Sequence, residues 1–110
     1  MGLLDNIIQA AKEKKAENIS VLKVTELTTI ADFFFITSGS SVPQNQAIAD
    51  EILKNAGQKP LNVEGYDLAD WILIDFGDII VHIFTEEKRA TYNLESLWAD
   101  AEKLIRRNED

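Results

Sequence analysis

With 110 residues, 45% of them hydrophobic, the chain has the size and composition of one globular domain, expected to span residues 1–110 with a core at about 3–105. Its 19 acidic and 11 basic side chains give a formal net charge of −8, which excludes extensive nucleic-acid contact because Lys and Arg supply most affinity for phosphate backbones. The lack of cysteine excludes disulfides and thiolate chemistry, in keeping with a cytoplasmic protein, and no apolar run is long enough to span a membrane.

Helical and extended patterns alternate through the first half of the chain. An apolar stripe at helical spacing marks its start, and the continuous apolar run at 33–36 indicates a strand covered on both faces. Ser40 or Ser41 can cap the helix that follows, and Gly57 can end it. In chain order, the patterns predict a helix at 3–16, strands at 19–24 and 33–36 joined by a connector at 28–32, a helix at 42–56 and a short strand at 61–63.

Two apolar runs around Gly77-Asp78 predict a β-hairpin with strands at 71–76 and 79–84, because glycine suits the first central position of a two-residue turn. A helical turn is predicted at 86–92. Asn93 is then expected to cap a final helix, whose inner face would be formed by apolar residues at helical spacing: Leu94, Leu97, Trp98, Ala101, Leu104 and Ile105. Together the elements predict an α/β fold in which a mixed β-sheet of about five strands has helices on both faces.

Few side chains suit nucleophilic catalysis. Ser38, Ser40 and Ser41 follow a strand but lack the glycines of a nucleophile elbow, and capping of the next helix explains them better. His82 is the only histidine and alternates with apolar residues along one strand face. An imidazole ring packed within the sheet is therefore preferred over a catalytic base.

Asp70, Asp75 and Asp78 lie close together in sequence around the predicted hairpin. Two or three of them could hold Mg²⁺, and Ser40 with Asp75 or Asp78 leaves a nucleotide-dependent transferase open as an alternative function. The strand after the second helix lacks the Asp-x-Asp pair that such an enzyme needs to hold its metals. Aspartate also favours turns because its side chain binds backbone N–H groups, so the turn interpretation is preferred and no metal or cofactor is predicted.

Trp71 and Tyr92 carry amphipathic rings of the kind that anchor protein interfaces. Acidic residues beside such rings favour a basic protein partner, because opposite charges steer association. Core packing is the competing explanation for Trp71 and the preferred one for Trp98, while the charged run at 86–89 is interpreted as a solvated helix start. A homodimerisation module, joined through a sheet edge or the terminal helices, is a further alternative.

A series of segments follows the order found in one protein family. The most specific is the block at 69–82, ADWILIDFGDIIVH. It is preceded by ADFF at 31–34, TSGSS at 37–41, IAD at 48–50 and EG at 64–65, and followed by Arg89, Tyr92, LE at 94–95 and LW at 97–98. Together these segments resemble the ribosomal silencing factor family, also called Iojap-like proteins.

The resemblance implies an α/β fold related to the nucleotidyltransferases but without their catalytic signature. It also implies a translation repressor, not an enzyme, that binds the large ribosomal subunit through ribosomal protein uL14 and blocks joining of the small subunit when nutrients are scarce. Little direct contact with nucleic acid is expected. By similarity, apolar contacts are expected from Trp71, Phe76 and Tyr92, and ion pairs from Asp75 and Asp78. Strand parity places Trp71 and Phe76 on opposite faces unless Phe76 has entered the turn.

Overall fold

The computed structural model describes residues 2–105 of the chain. Its helices and strands are α1 (Leu3–Glu13), β1 (Glu17–Lys23), β2 (Phe33–Gly39), α2 (Val42–Asn55), β3 (Asn62–Glu64), β4 (Trp71–Asp75), β5 (Ile79–Thr85), α3 (Glu86–Tyr92), α4 (Leu94–Leu97) and β6 (Glu102–Ile105). The strands form one sheet in the order β3-β4-β5-β2-β1-β6, with β2 and β5 parallel and the other pairs antiparallel. The predicted mixed α/β sheet is confirmed, with six strands rather than about five in the described residues; its relation to the nucleotidyltransferases stays a prediction.

Helices α1 and α2 cover one face of the sheet. Their inner residues recur every three or four positions and pack on the side chains of one strand face, forming a core that includes Ile7, Ala11, Ile48, Ile52, Phe35, Ile72, Ile74 and Val81. The helix boundaries follow the predicted signals: the Ser41 hydroxyl accepts a hydrogen bond from the Gln44 amide at 3.2 Å, and Gly57 after α2 has φ +82°. None of the helices within residues 2–105 is both long and apolar enough to cross a membrane.

The opposite face is covered less completely. Its buried cluster includes Leu22, Phe34, Ile36, Ile80 and Phe84, and Leu94 and Trp98 pack against it from α4 and the residue after α4. Along β4, however, every second residue is only partly buried. Helices therefore lie on both faces, as predicted, but the outer part of this face, along β4, stays accessible. Strand β3 forms the edge of the sheet beyond β4 and has only three residues.

The predicted final helix is wrong beyond its first turn. Helix α4 ends at Leu97, and residues Glu102–Ile105 form β6, which pairs with β1. Asn93 does not cap α4 with its side chain. Its left-handed φ of +47° ends α3 instead, and its amide donates to the Arg89 carbonyl at 2.8 Å.

Edge pairing explains the strand. Without β6, the N–H and C=O groups along one side of β1 would lack partners from the sheet, and β6 supplies them. The helical spacing of the apolar residues was misleading, because Leu97 and Leu104 are 75% and 45% exposed whereas Ala101 is buried.

The prediction of a solvated helix start at 86–89 is wrong for Arg89, which is only 2% exposed. Its guanidinium binds both carboxylate oxygens of Glu95, with Nε–Oε1 and Nη2–Oε2 distances of 3.0 and 3.1 Å. It also donates to the hydroxyls of Ser38 and Ser20 at 3.0 and 3.2 Å. We call Arg89, Glu95, Ser20 and Ser38 the Arg89 clamp. Because its members come from α3, α4, β1 and β2, the clamp fastens the two short helices to the sheet.

Gly65 precedes β4 at a close approach between two backbone segments. It has φ +78°, and a Cβ added there would lie 2.1 Å from the Trp71 carbonyl oxygen. We expect Gly65→Ala to lower the free energy of unfolding by about 1 to 3 kcal/mol, because a left-handed conformation and a backbone clash are strained together. Urea unfolding measures the loss. Gly57→Ala is the matched control, since Gly57 has a similar φ of +82° but a Cβ added there would lie 3.8 Å from the Asn6 Nδ2, an ordinary contact. An equal loss in both variants would contradict a role for the close approach.

Candidate functional site

The predicted site residues are divided between the two faces and two ends of the β4–β5 hairpin. Trp71 begins β4 and Asp75 ends it, so four residue steps of about 3.3 Å each separate them on the same face. Phe76 lies on the opposite face, as strand parity predicts, where it is 5% exposed and packs in the core under α1 and α2. A side chain in that position does not reach a partner that contacts Trp71, so Phe76 is left out of the surface proposed below.

Asp75 stabilises the turn of the hairpin, and the backbone of Asp78 links the turn to the start of β2. The Asp75 carboxylate accepts a hydrogen bond from the Gly77 amide at 2.8 Å, and the Asp78 carbonyl accepts from the amides of Asp32 and Phe33 at 2.8 and 3.1 Å. Gly77 has φ +91°, in keeping with its predicted position in the turn. The interpretation of Asp75 as a turn residue is confirmed. Ion pairing of Asp75 and Asp78 with a partner stays a prediction.

The transferase alternative built on Ser40 does not fit the geometry. Strands β2 and β5 pair in parallel from Phe33–Ile79 to Gly39–Thr85. Ser40 follows one end of this ladder and Asp78 precedes the other, which separates them by about 25 Å. Ligands of one Mg²⁺ must lie within a few ångströms of each other. Ser40 instead binds the Gln44 side chain, and across the described part of the chain no three carboxylate or imidazole groups form a ligand set for a metal ion.

Trp71 and Tyr92 are brought together by the fold. Their ring centroids are 4.6 Å apart, and Phe84 stacks against Trp71 from β5 at 5.1 Å. Trp71 is partly buried, whereas Tyr92 is 48% exposed. The two rings therefore present an accessible aromatic surface at the end of the sheet where β4 begins and β5 ends. Core packing and exposure, the two competing explanations for Trp71, both hold in part.

Two charged groups flank the rings. The Lys88 ammonium lies 5.9 Å from the Tyr92 ring centroid and 3.7 Å from a carboxylate oxygen of Asp70. Both contacts are solvent-exposed, and pairs of this kind contribute about 1 kcal/mol or less, so a partner can displace them. Asp70, Trp71, Lys88 and Tyr92 are together called the Trp71–Tyr92 surface.

Backbone contacts fix where this surface lies. The buried Asn45 side chain donates from α2 to the Ala69 carbonyl at 2.7 Å, and the Thr85 amide donates to the Asp70 carbonyl at 3.0 Å. Tyr92 and Lys88 are placed from the other side, because the Arg89 clamp holds α3 on the sheet. The segments that carry the two rings are therefore held in place by hydrogen bonds from α2, from the end of β5 and from the Arg89 clamp.

His82 lies in the sheet next to Trp71. Its Nδ1 accepts a hydrogen bond from the Trp71 indole Nε1–H at 3.1 Å, and Phe34 packs edge-to-face against its ring at 5.5 Å. Burial lowers the pKa of the imidazole to about 4, so the ring is neutral at pH 7. Because Nδ1 is the acceptor, the ring proton resides on Nε2. The prediction of an imidazole ring packed within the sheet is confirmed.

Stability should decrease as the pH falls from about 6.5 to about 4. Over this range the unfolded chain binds a proton at His82, whose ordinary pKa is 6.5, while the folded chain with its pKa of about 4 does not. Above pH 6.5 the imidazole is neutral in both states and no stability is lost, whereas the loss reaches about 3 kcal/mol near pH 4. Urea unfolding of the wild type and His82→Phe across this range isolates it. Parallel stability curves for the two proteins would contradict the lowered pKa.

Comparison with known proteins identifies the family. The family model described as "Ribosomal silencing factor during starvation" matches residues 2–110. The chain belongs to the ribosomal silencing factor family. Membership makes it a regulator of translation, and the predicted resemblance is confirmed over nearly the whole sequence.

Similarity to individual proteins supports the assignment to the ribosomal silencing factor family. The chain is 46% identical over 102 residues to ribosomal silencing factor RsfS of Halalkalibacterium halodurans, covering 90% of this chain and 87% of that protein. It is 31% identical over 101 residues to the mouse protein "Mitochondrial assembly of ribosomal large subunit protein 1", covering 86% of this chain and 44% of that one. The crystal structure of a protein from Chromobacterium violaceum matches with a TM-score of 0.84 at 30% identity, covering 88% of this chain and 83% of that one.

Two contacts of the site were not predicted from the sequence: Asp70 with Lys88, and His82 with Trp71. The contact of His82 with Trp71 could have been predicted from the hairpin register. A two-residue turn at Gly77-Asp78 places His82 opposite Leu73 and diagonal to Trp71, which is the register observed. The position of Lys88 has no such signal, because it depends on where α3 docks.

Proposed function

We propose that this ribosomal silencing factor is a non-enzymatic translation repressor of the cytoplasm that binds the large ribosomal subunit through ribosomal protein uL14 and sterically blocks joining of the small subunit. It acts as a bound obstacle, with no substrate, cofactor or metal. The family match over residues 2–110 is the observation that carries this proposal. The name of the mouse homologue, which refers to the large subunit, supports the choice of subunit.

The Trp71–Tyr92 surface is the proposed contact with uL14. Partly exposed tryptophan and tyrosine rings supply the large, rigid contact area that dominates many interfaces. Asp70 lies beside them at 3.7 Å from Lys88, where a basic side chain of the partner can take the place of that ammonium. Asp75 and Asp78 lie at the far end of the hairpin. We assign them to steering, because a chain of net charge −8 attracts a basic partner over a distance of about one Debye length.

A bound chain of this size is a sufficient obstacle. The described residues extend over 34 × 30 × 24 Å. Subunit joining requires direct contact between the two ribosomal surfaces, with atoms within about 4 Å of each other. A domain bound at that interface holds the surfaces apart by a distance several times larger, so it prevents joining without chemistry.

The decisive experiment combines purified large and small subunits with increasing amounts of the chain and separates the products on a sucrose gradient. We expect joined ribosomes to decrease and free subunits to increase, with the chain sedimenting with the large subunit. Undiminished joining at saturating chain would refute the proposal. Binding to isolated uL14 tests the partner separately: a chain that blocks joining without binding uL14 would correct the partner alone.

The free protein should be characterised in parallel. Light scattering after sizing chromatography gives its mass and tests the predicted homodimer. A dimer that dissociates on addition of large subunits would be a storage form, whereas a dimer that persists on the subunit would mean that the contact with uL14 uses a surface outside the dimer interface.

A further inference from the structure

We propose that His82 is the positioning residue for Trp71. Through the bond from indole Nε1–H to its Nδ1, His82 selects one orientation of the ring, in which the indole is presented to the ribosomal partner before binding. This role rests on the proposed function of the Trp71–Tyr92 surface, and His82 itself does not touch the partner.

The hairpin register creates the contact. Trp71 pairs with Phe84 across the β4–β5 ladder, and His82 pairs with Leu73, so Trp71 and His82 are diagonal neighbours on the same face. Their ring centroids are 6.0 Å apart, and the Nε1–Nδ1 distance is 3.1 Å. Diagonal pairs are within reach of aromatic side chains, so a bond of ordinary length forms without displacing either strand.

Stacking alone does not determine which edge of the indole faces the sheet. Phe84 and Tyr92 contact the ring at centroid distances of 5.1 and 4.6 Å and restrict the plane in which it can lie. A half-turn of the ring about the bond that joins it to Cβ keeps the indole in the same plane but carries the N–H away from His82. The hydrogen bond therefore distinguishes two ring orientations that share one plane.

The burial of His82 supports this role. The residue is 6% exposed within an otherwise apolar and aromatic cluster, and its Nε2 has no hydrogen-bond partner among residues 2–105. A buried N–H without a partner is unfavourable, so an aliphatic or phenyl side chain would suit the packing better. What such a side chain cannot provide is an acceptor for the indole. The contact made by Nδ1 thus accounts for the presence of histidine at this position.

A fixed ring should bind more tightly than a mobile one, because a side chain that is already ordered loses less entropy on association. Two variants separate the acceptor from the packing. His82→Phe keeps a ring of similar size and removes the acceptor. His82→Asn keeps an acceptor, because its Oδ1 lies close to the position of Nδ1, and removes the ring.

The experiment uses two readouts on the full chain. In the free protein, the ¹⁵N-indole signal of Trp71, assigned with Trp71→Phe, reports the hydrogen bond by its chemical shift and its rate of hydrogen exchange. In the second readout, affinity for large ribosomal subunits is measured by co-sedimentation. We expect His82→Phe to exchange its indole proton faster and to bind about tenfold more weakly. His82→Asn should recover part of both losses, which a purely structural role for the imidazole ring would not explain.

The outcomes separate the two proposals. A wild-type chain that does not bind large subunits overturns the proposed function, and this inference with it. If the wild type binds, an unchanged indole signal or unchanged affinity in His82→Phe overturns the positioning role alone. Should His82→Phe fail to fold, the ¹⁵N shifts of the imidazole in the wild type and the affinity of His82→Asn decide. A protonated Nδ1, or loss of binding by His82→Asn although it keeps the acceptor, overturns the positioning role. A protonated Nε2 together with binding largely retained by His82→Asn supports it.

Discussion

Glu95→Ala should destabilise the fold by about 3 to 5 kcal/mol. The substitution removes the carboxylate that binds Arg89 in two places and leaves the guanidinium charge buried, because the Arg89 side chain is 1% exposed. The hydroxyls of Ser20 and Ser38 remain, but neutral acceptors do not compensate a buried cation. Urea unfolding followed by circular dichroism measures the loss.

A double-mutant cycle supplies the control. Arg89→Met removes the buried charge itself and should cost less than Glu95→Ala, since the Glu95 side chain, 19% exposed, retains solvent. The combination Arg89→Met with Glu95→Ala should be more stable than the sum of the single losses predicts. Additive losses would show that the two residues act independently and would contradict the clamp.

Trp71→Ala should weaken binding to the large subunit by about 2 to 4 kcal/mol, or roughly 30- to 1,000-fold in Kd. The ring is partly buried and contacts both Phe84 and Tyr92. Its removal deletes contact area with the partner and also frees the Tyr92 ring. Co-sedimentation with large subunits over a range of chain concentrations gives the change in Kd.

The matched control is Leu61→Ala. Leu61 is another exposed apolar residue, 74% exposed, but it packs near Gly77 at the turn end of the hairpin. Its truncation should leave the Kd unchanged within about twofold. Because Trp71→Ala also removes packing, the folded fraction of each variant must be measured by urea unfolding under the binding conditions. Equal affinity of folded Trp71→Ala and wild type would remove Trp71 from the interface.

Local sequence signals were enough to predict the elements whose geometry is set by neighbouring residues. Gly77 with Asp78 determined the turn of the hairpin, and Ser41 and Gly57 bounded α2, as predicted. The prediction of a long final helix was wrong because its conformation depends on a distant part of the chain. Its apolar spacing fitted a helix, but the unpaired edge of β1 decided the conformation, and β1 lies some eighty residues earlier in the chain.

The candidate site was likewise predicted only in part from local sequence. Trp71 and Tyr92 were predicted as exposed anchors and do meet, but the acidic residues close to Trp71 in sequence are not all close in space. A strand separates positions by about 3.3 Å per residue and alternates their faces, so Asp75 lies at the far end and Phe76 on the other face. Arg89 shows most clearly that contacts between distant parts of the chain could not be predicted. Its hydroxyl partners Ser20 and Ser38 are 69 and 51 residues away, and nothing in the charged segment around it marks burial.

The short outer strand β3 has a consequence for the behaviour of the free protein. A sheet edge can template the addition of a strand from another molecule, which leads to fibrils when the edge is long and apolar. Here that edge offers only Asn62, Val63 and Glu64, of which the first and last are exposed and polar. Too few backbone groups are aligned to hold an incoming strand, and the carboxylate repels other copies of this acidic chain. Strand addition from another copy of the chain is therefore disfavoured along this side of the sheet.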